Sequence, residues 1–174
     1  MRLYLALFVV ALARLSYAEE AKKPPAAQPV ADAKKDHIMV TPTEFTWVDG
    51  PPAMPPGQKM VVLEGDPAKP GPYTIRAKLP AGYKVPPHWH PGIEHVTVLE
   101  GTMGMGYGEK WDDKEIHEAA PGSFMAMEVG TKHYFLAKTA GVIQVHGNGP
   151  FGITYVNPAD DPMKKAAPAK KGKK

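Results

Sequence analysis

The feature that most limits how this chain can fold is its punctuation. Glycine and proline, 17 and 20 in 174 residues, recur so closely that few uninterrupted stretches remain long enough for a helix of several turns. Between these breaks lie short apolar runs. Those with strand character are Met60 to Glu64, Tyr73 to Leu79, Val96 to Leu99, Met103 to Tyr107, Ser123 to Met127, Tyr134 to Ala137, Val142 to His146 and Ile153 to Val156. Tyr73, Ile75 and Ala77 alternate with Thr74, Arg76 and Lys78, the period of a sheet with one covered face. No convincing helical stripe and no repeat of domain scale is present. Eight or more short strands separated by turns predict an all-β closed barrel or double-sheet jelly roll. Gly101-Thr102, between two apolar runs, reads as a tight hairpin corner. The polar segment from Tyr107 to Ala120 reads as a hairpin loop or an edge strand. Tyr107, Phe124, Tyr134 and Phe135 are expected in the core or a pocket wall.

The ends read differently from this body. Arg2 precedes an apolar run from Leu3 to Ala13, and Ser16-Tyr17-Ala18 closes it with small residues; residues 1–18 are therefore expected to be a cleaved secretory signal. The run is too short to span a bilayer, which takes about 20 apolar residues, so no transmembrane segment is expected in the mature chain. Residues 19–36, rich in Ala, Lys and Pro, read as a linker. The body runs from 37 to 161, and residues 162–174 read as a Lys-rich disordered tail. Residues 37–163 hold nine basic and fourteen acidic side chains, so the positive formal charge of the whole chain belongs to its ends. An acidic body without a basic face argues against nucleic acid as a partner. The expected location is outside the cytoplasm, periplasmic or secreted.

Cysteine is absent, which removes disulfides, thiolate metal sites and thiol catalysis together. A bound metal must be held by His, Asp, Glu or Met. Six of the seven histidines fall between His88 and His146. His88 and His90 are two apart, so on an extended chain both imidazoles leave the same face. Pro91-Gly92 breaks the strand, Glu94 returns a carboxylate four residues after His90, and His133 follows the turn at Gly130. Three imidazoles and one carboxylate suit a divalent first-row metal and leave positions open for a ligand. Alternation turns Trp89 and His95 away from that site. His117 is expected to be exposed. His146 is read either as facing the cavity or as buried and bonded to backbone. Met103 with Met105, and Met125 with Met127, form alternating pairs that read as core packing or as a soft set for copper. Tyr83 and Lys84 are candidates for orienting an anionic substrate near the mouth.

These residues carry a resemblance. Gly82, five residues, His88-x-His90, three residues, Glu94, six residues and Gly101 match the first motif of the cupin superfamily at every spacing. Gly122, Gly130 and His133 match the second, although Glu128 stands where the family usually has Pro and Ala137 where it usually has Asn. The chain resembles a small single-domain cupin, and the phrase from Val145 to Pro162 is similar to one found in bacterial members. The resemblance implies a jelly-roll β-barrel with a divalent transition metal (Fe, Mn, Zn, Ni or Cu) bound by His88, His90, Glu94 and His133 near its wider mouth. It also makes a homodimer plausible. Two functions follow as expectations. One is metal-dependent chemistry on a small organic molecule, of dioxygenase type or an isomerisation; the other is a non-catalytic metal- or ligand-binding module, a sensor or sequestering protein. A barrel with a vestigial His cluster is the third reading. No catalytic residue beyond the ligand set is legible.

Overall fold

The computed structural model describes residues 37–165. The stretches read as signal (1–18), as linker (19–36) and as tail from 166 onward lie outside the described residues.

Eleven strands form between the Gly and Pro stops: β1 (Val48–Asp49), β2 (Lys59–Glu64), β3 (Gly71–Leu79), β4 (Lys84–Trp89), β5 (Glu94–Glu100), β6 (Met103–Tyr107), β7 (His117–Ala119), β8 (Phe124–Met127), β9 (His133–Ala137), β10 (Gly141–Gly149) and β11 (Thr154–Tyr155). Helical structure among the described residues is limited to short 3-10 turns and one four-residue helix, α1 (Pro162–Lys165). That helix opens the stretch read as a disordered tail.

The strands make two antiparallel sheets. One has the order β1-β2-β3-β10-β5-β8 and the other β11-β4-β9-β6-β7. Most neighbours in these sheets are distant in sequence, the long-range pairing of a jelly roll. β3 and β10, nine residues each, pair along their whole length from Gly71↔Gly149 to Leu79↔Gly141. In β3, Tyr73, Ile75, Ala77 and Leu79 are buried while Thr74, Arg76 and Lys78 face outward. The core between the sheets includes Val62, Ile75, Val96, Val98, Phe135 and Val145. Met103, Met105 and Met127 belong to it and Met125 packs against it, so the paired methionines are barrel filling.

Gly101-Thr102 differs from its expectation. β5 and β6, which it joins, lie in different sheets, so the corner carries the chain across the barrel instead of closing a hairpin. Gly101 has φ +79°, and a Cβ there would meet the Ala140 carbonyl oxygen at 2.5 Å; the turn tolerates only glycine. Adjacent strands in sequence pair in many all-β folds, and nothing local marks a corner that switches sheets.

Both outer faces are partly covered. The polar segment after β6 is a loop and then an edge strand: residues 108–116 fold back and β7 completes the sheet. Trp111 packs on Tyr134 with centroids 4.9 Å apart, and the Tyr134 hydroxyl donates to the Asp112 carbonyl at 3.0 Å. On the other sheet, Arg76 stacks on Phe45 at 5.2 Å and Lys78 on Trp47 at 4.6 Å. Tyr134 and Phe135 are buried as expected, while Tyr107 and Phe124 are exposed and belong to no core. Phe124 sits on the outer face at the start of β8, whereas Tyr107 shares the inward face of Met103 and Met105 and is exposed because it ends β6 opposite His133, at the open end of the barrel.

Candidate metal centre

Two consecutive prolines shape the strand that carries the first ligands. Pro86 and Pro87 offer no N–H to the ladder, and the β4–β9 register shifts between Val85 and His88, as expected where proline meets a sheet interior. Past this irregularity His88 pairs directly with His133 of β9. His90 lies just beyond the end of β4, where Pro91-Gly92 turns the chain. Glu94 then opens β5 in the opposite sheet. One sheet thus supplies His88 and His133, the other Glu94, and the link between them supplies His90.

All four side chains are buried, Glu94 at 9% exposure and His133 at 1%. The His88 ring centroid is 4.9 Å from that of His90 and 4.2 Å from that of His133. One ligand nitrogen from each of His88, His90 and His133 falls within 4.8 Å of the others. Glu94 Oε2 is 3.5 Å from Nε2 of His90 and 3.5 Å from Nε2 of His133. Two donors each about 2.1 Å from one ion stand roughly 3.0–3.5 Å apart at octahedral or tetrahedral angles, so the carboxylate–imidazole spacing fits a shared cation.

The hydrogen bonds behind the rings settle which nitrogen faces inward. His88 Nδ1 lies 2.7 Å from the Pro86 carbonyl oxygen, His90 Nδ1 2.6 Å from that of Gly152, and His133 Nδ1 2.9 Å from that of Thr131. A carbonyl only accepts, so each Nδ1 carries its proton and donates. Each Nε2 is then a bare lone pair aimed into the cluster. His90 Nε2 is buried with no hydrogen-bond partner, an orphan that a cation would satisfy.

Burial favours the neutral form of His88 and His90. Burial, followed by the neighbouring His133 and His90, holds His88 at about 3, and burial also lowers His90. Burial pushes the Glu94 carboxyl up, but a hydrogen bond from His133 and attraction to His90, His133 and His88 in their protonated forms outweigh it, and the group stays below the usual carboxylate range. Neutral imidazoles and an ionised carboxylate are the donor forms that bind divalent cations.

The remaining sequence candidates lie elsewhere. His95 and His146 are cross-strand partners on the outer face of the six-stranded sheet, stacked at 4.8 Å and 16°; His146 therefore does not face the cavity. His117 is exposed on β7. Tyr83 is buried and donates to the Pro55 carbonyl at 2.8 Å, and Lys84 sits over the Trp111 ring at 4.6 Å. Neither lines the pocket beside the centre: Tyr83, just before β4, is packed in the core, and Lys84 lies on the outer face. The walls of this small pocket include Tyr73, His90, Ile93, Glu94, Asn148 and Phe151. Phe151 packs on His90 at 5.0 Å and on Tyr73 at 6.1 Å. Tyr73, Phe151 and the Gly152 carbonyl escape sequence reasoning because they come from segments far from the motif, and only the closed barrel brings them to it.

Residues 35–152, well over half of the chain, match the ChrR Cupin-like domain family. The chain belongs to this cupin family. Comparison with curated proteins gives no match. Among solved structures, this cupin is similar to the polyketide cyclase RemF from Streptomyces resistomycificus, with 21% identity, a TM-score of 0.58, and 75% of this chain and 93% of that chain covered. It is also similar to a protein from Methylibium petroleiphilum described as a putative acetylacetone dioxygenase, with 19% identity, a TM-score of 0.56, and 76% and 89% covered. At these identities the similarity establishes the jelly-roll fold that the two sheets already display. Among the described residues, no helix of this cupin is long and apolar enough to cross a membrane.

Proposed function

We propose that this cupin binds one divalent transition metal through His88, His90, His133 and Glu94 and uses it to transform a small organic molecule, by an oxidation of dioxygenase type. The observation that carries the reading is the set of three Nδ1–carbonyl hydrogen bonds, which leaves three buried Nε2 lone pairs facing one another beside a carboxylate. A divalent ion held there supplies Lewis-acid or one-electron redox chemistry at positions left open for a ligand. The protein's own part is to hold the imidazoles neutral and fixed by their backbone partners. Ile93 and Phe151 give one side of the mouth an apolar wall. Imidazole donors suit Fe, Ni, Cu and Zn, and the carboxylate extends the range toward Mn.

Oxygen uptake tests the reaction class. Full-length protein loaded with Fe(II), Mn(II) or Ni(II) is expected to consume oxygen with at least one of a panel of small dicarbonyls and catechols, and the His90→Ala variant is expected not to. One observation favours the second reading, a binding module without turnover: the pocket wall offers no carboxylate or imidazole beyond Glu94 and His90, so no general base separate from the ligand set titrates near neutral pH there. Stoichiometric metal with no uptake across the panel would select that module.

Export belongs to the same proposal, supported by the apolar run from Leu3 to Ala13 and the small residues that close it. Expressed full-length in a bacterium, the chain is expected in the periplasmic or extracellular fraction with a mass that begins at Glu19. Retention of Met1 in the cytosolic fraction would contradict it.

A further inference from the structure

Four tyrosines are buried, and three of them have a main-chain partner for the hydroxyl. Tyr83 donates to Pro55, Tyr134 to Asp112 and Tyr155 to Ala53. Tyr73, 3% exposed, has no such bond among the described residues. The hydroxyl is not sealed off, since the fully buried side-chain polar atoms without a partner among the described residues are His90 Nε2 and His95 Nδ1; it sits in the wall of the pocket beside the candidate metal centre, within reach of a ligand there.

The sheet explains how it gets there. Tyr73 of β3 pairs with Gly147 of β10, and Gly147 pairs with Glu94 of β5. The three residues form one inward-facing row across three strands, with no side chain in the middle. A Cβ at position 147 would lie 3.1 Å from the Tyr73 hydroxyl and 3.4 Å from its Cζ. The ring therefore lies across Gly147 toward Glu94. Phe151 braces it edge-on at 80° and in turn packs on His90. Burial and the Glu94 carboxylate both raise the phenol, so it is a hydrogen-bond donor.

We infer that the Tyr73 hydroxyl is a ligand-binding group, donating a hydrogen bond to an acceptor oxygen of the small molecule held at the His88–His90–His133–Glu94 centre. The pocket wall narrows the class of that molecule. It has no Lys or Arg, and its charged side chain is an acid, Glu94, so a ligand of two or more negative charges is disfavoured. The fitting ligand is neutral or singly charged, with oxygen donors at one end and a small apolar body against Ile93, Pro150 and Phe151. This inference rests on the metal reading above.

The test compares wild-type protein with Tyr73→Phe, which keeps the ring and removes the hydroxyl. Full-length protein is loaded with Co(II), whose visible absorption reports ligand binding independently of turnover. Two probes are titrated: acetohydroxamate, a small oxygen chelator, and imidazole, which has no acceptor oxygen. Co(II) affinity is expected to be equal in the two proteins, and imidazole affinity also. Acetohydroxamate is expected to bind the variant about tenfold more weakly, the scale of one hydrogen bond to a charged or strongly polarised oxygen. Equal acetohydroxamate affinity in two Co(II)-loaded proteins would overturn the role of Tyr73 and leave the metal centre standing. Equal weakening of both probes would mark Tyr73 as packing only and overturn it too. Wild-type protein that takes up no Co(II) would remove the metal reading, and this inference with it.

Discussion

At the scale of single residues, the centre is a balance between donors that need a cation and a barrel that has buried them. Glu94→Gln keeps the shape of the side chain and removes its charge. Metal affinity is expected to fall by roughly 10- to 100-fold, comparable with or above the loss of an outer-shell partner, as read by competition with a chromogenic chelator. Unchanged affinity would remove Glu94 from the ligand set. The imidazoles also set a pH dependence for the metal-free protein. His88 titrates at about 3 when folded against an ordinary 6.5, so between those values the unfolded chain holds a proton that the folded chain does not. Stability therefore falls as pH drops from about 6.5 toward 3, and the lowered Glu94 acts in the same direction. In excess chelator the thermal midpoint should decline across this window in wild type, and less steeply in His88→Gln. Equal slopes would contradict the buried neutral imidazole. At this scale the sequence was informative where spacing alone decides geometry. The interval His88-x-His90 and the adjacency of Glu94 and His95 are enough to sort inward from outward side chains. It was silent on Tyr73 and on the Gly152 carbonyl, since neither is near the motif in the chain.

At the scale of elements, the strands carry most of the site's precision. β4 has two prolines and does not read as a strand from composition, because proline within a run argues against ladder pairing. The structure accommodates both at the register shift between Val85 and His88, and uses the Pro86 carbonyl to fix the His88 ring. β1, two residues long, is beyond any periodicity argument. Strand existence elsewhere was legible from alternation, but pairing was not. Gly101-Thr102 has the composition of a hairpin, and only the location of β5 and β6 in different sheets shows it to be a crossing. Gly101→Ala places a side chain at φ +79° and against the Ala140 carbonyl oxygen. It is expected to destabilise the fold by about 1–3 kcal/mol, visible as a lower denaturant midpoint with an unchanged m-value. A midpoint equal to wild type would mean that the corner is softer than its geometry implies.

At the scale of the whole molecule, the four donors join the two sheets. β4 and β9 contribute from one, β5 from the other, and Phe151 and Gly152 close the mouth from the segment after β10. An ion bound only by the folded state stabilises it in proportion to the logarithm of its excess over Kd, about 2.7 kcal/mol at a hundredfold excess. For a body of this size that corresponds to a rise of roughly 10 °C in the thermal midpoint, reversed by chelator. A midpoint indifferent to added transition ions would argue that the sheets are held together without them. The jelly roll itself was legible from short runs and their breaks, because that pattern leaves few other ways to bury the apolar faces. Which outer surfaces are covered was not, since Trp47 and Trp111 reach Lys78 and Tyr134 across long intervals of sequence.

The central claim is that His88, His90, His133 and Glu94 jointly chelate one ion. The most direct measurement is the metal content of full-length protein by elemental mass spectrometry, after dialysis of wild type and of a His88→Ala/His90→Ala variant that retains its β-sheet spectrum. The account predicts one transition ion per chain in wild type and essentially none in the variant. Equal metal in the two proteins, or none in wild type after exposure to each candidate ion, would contradict it.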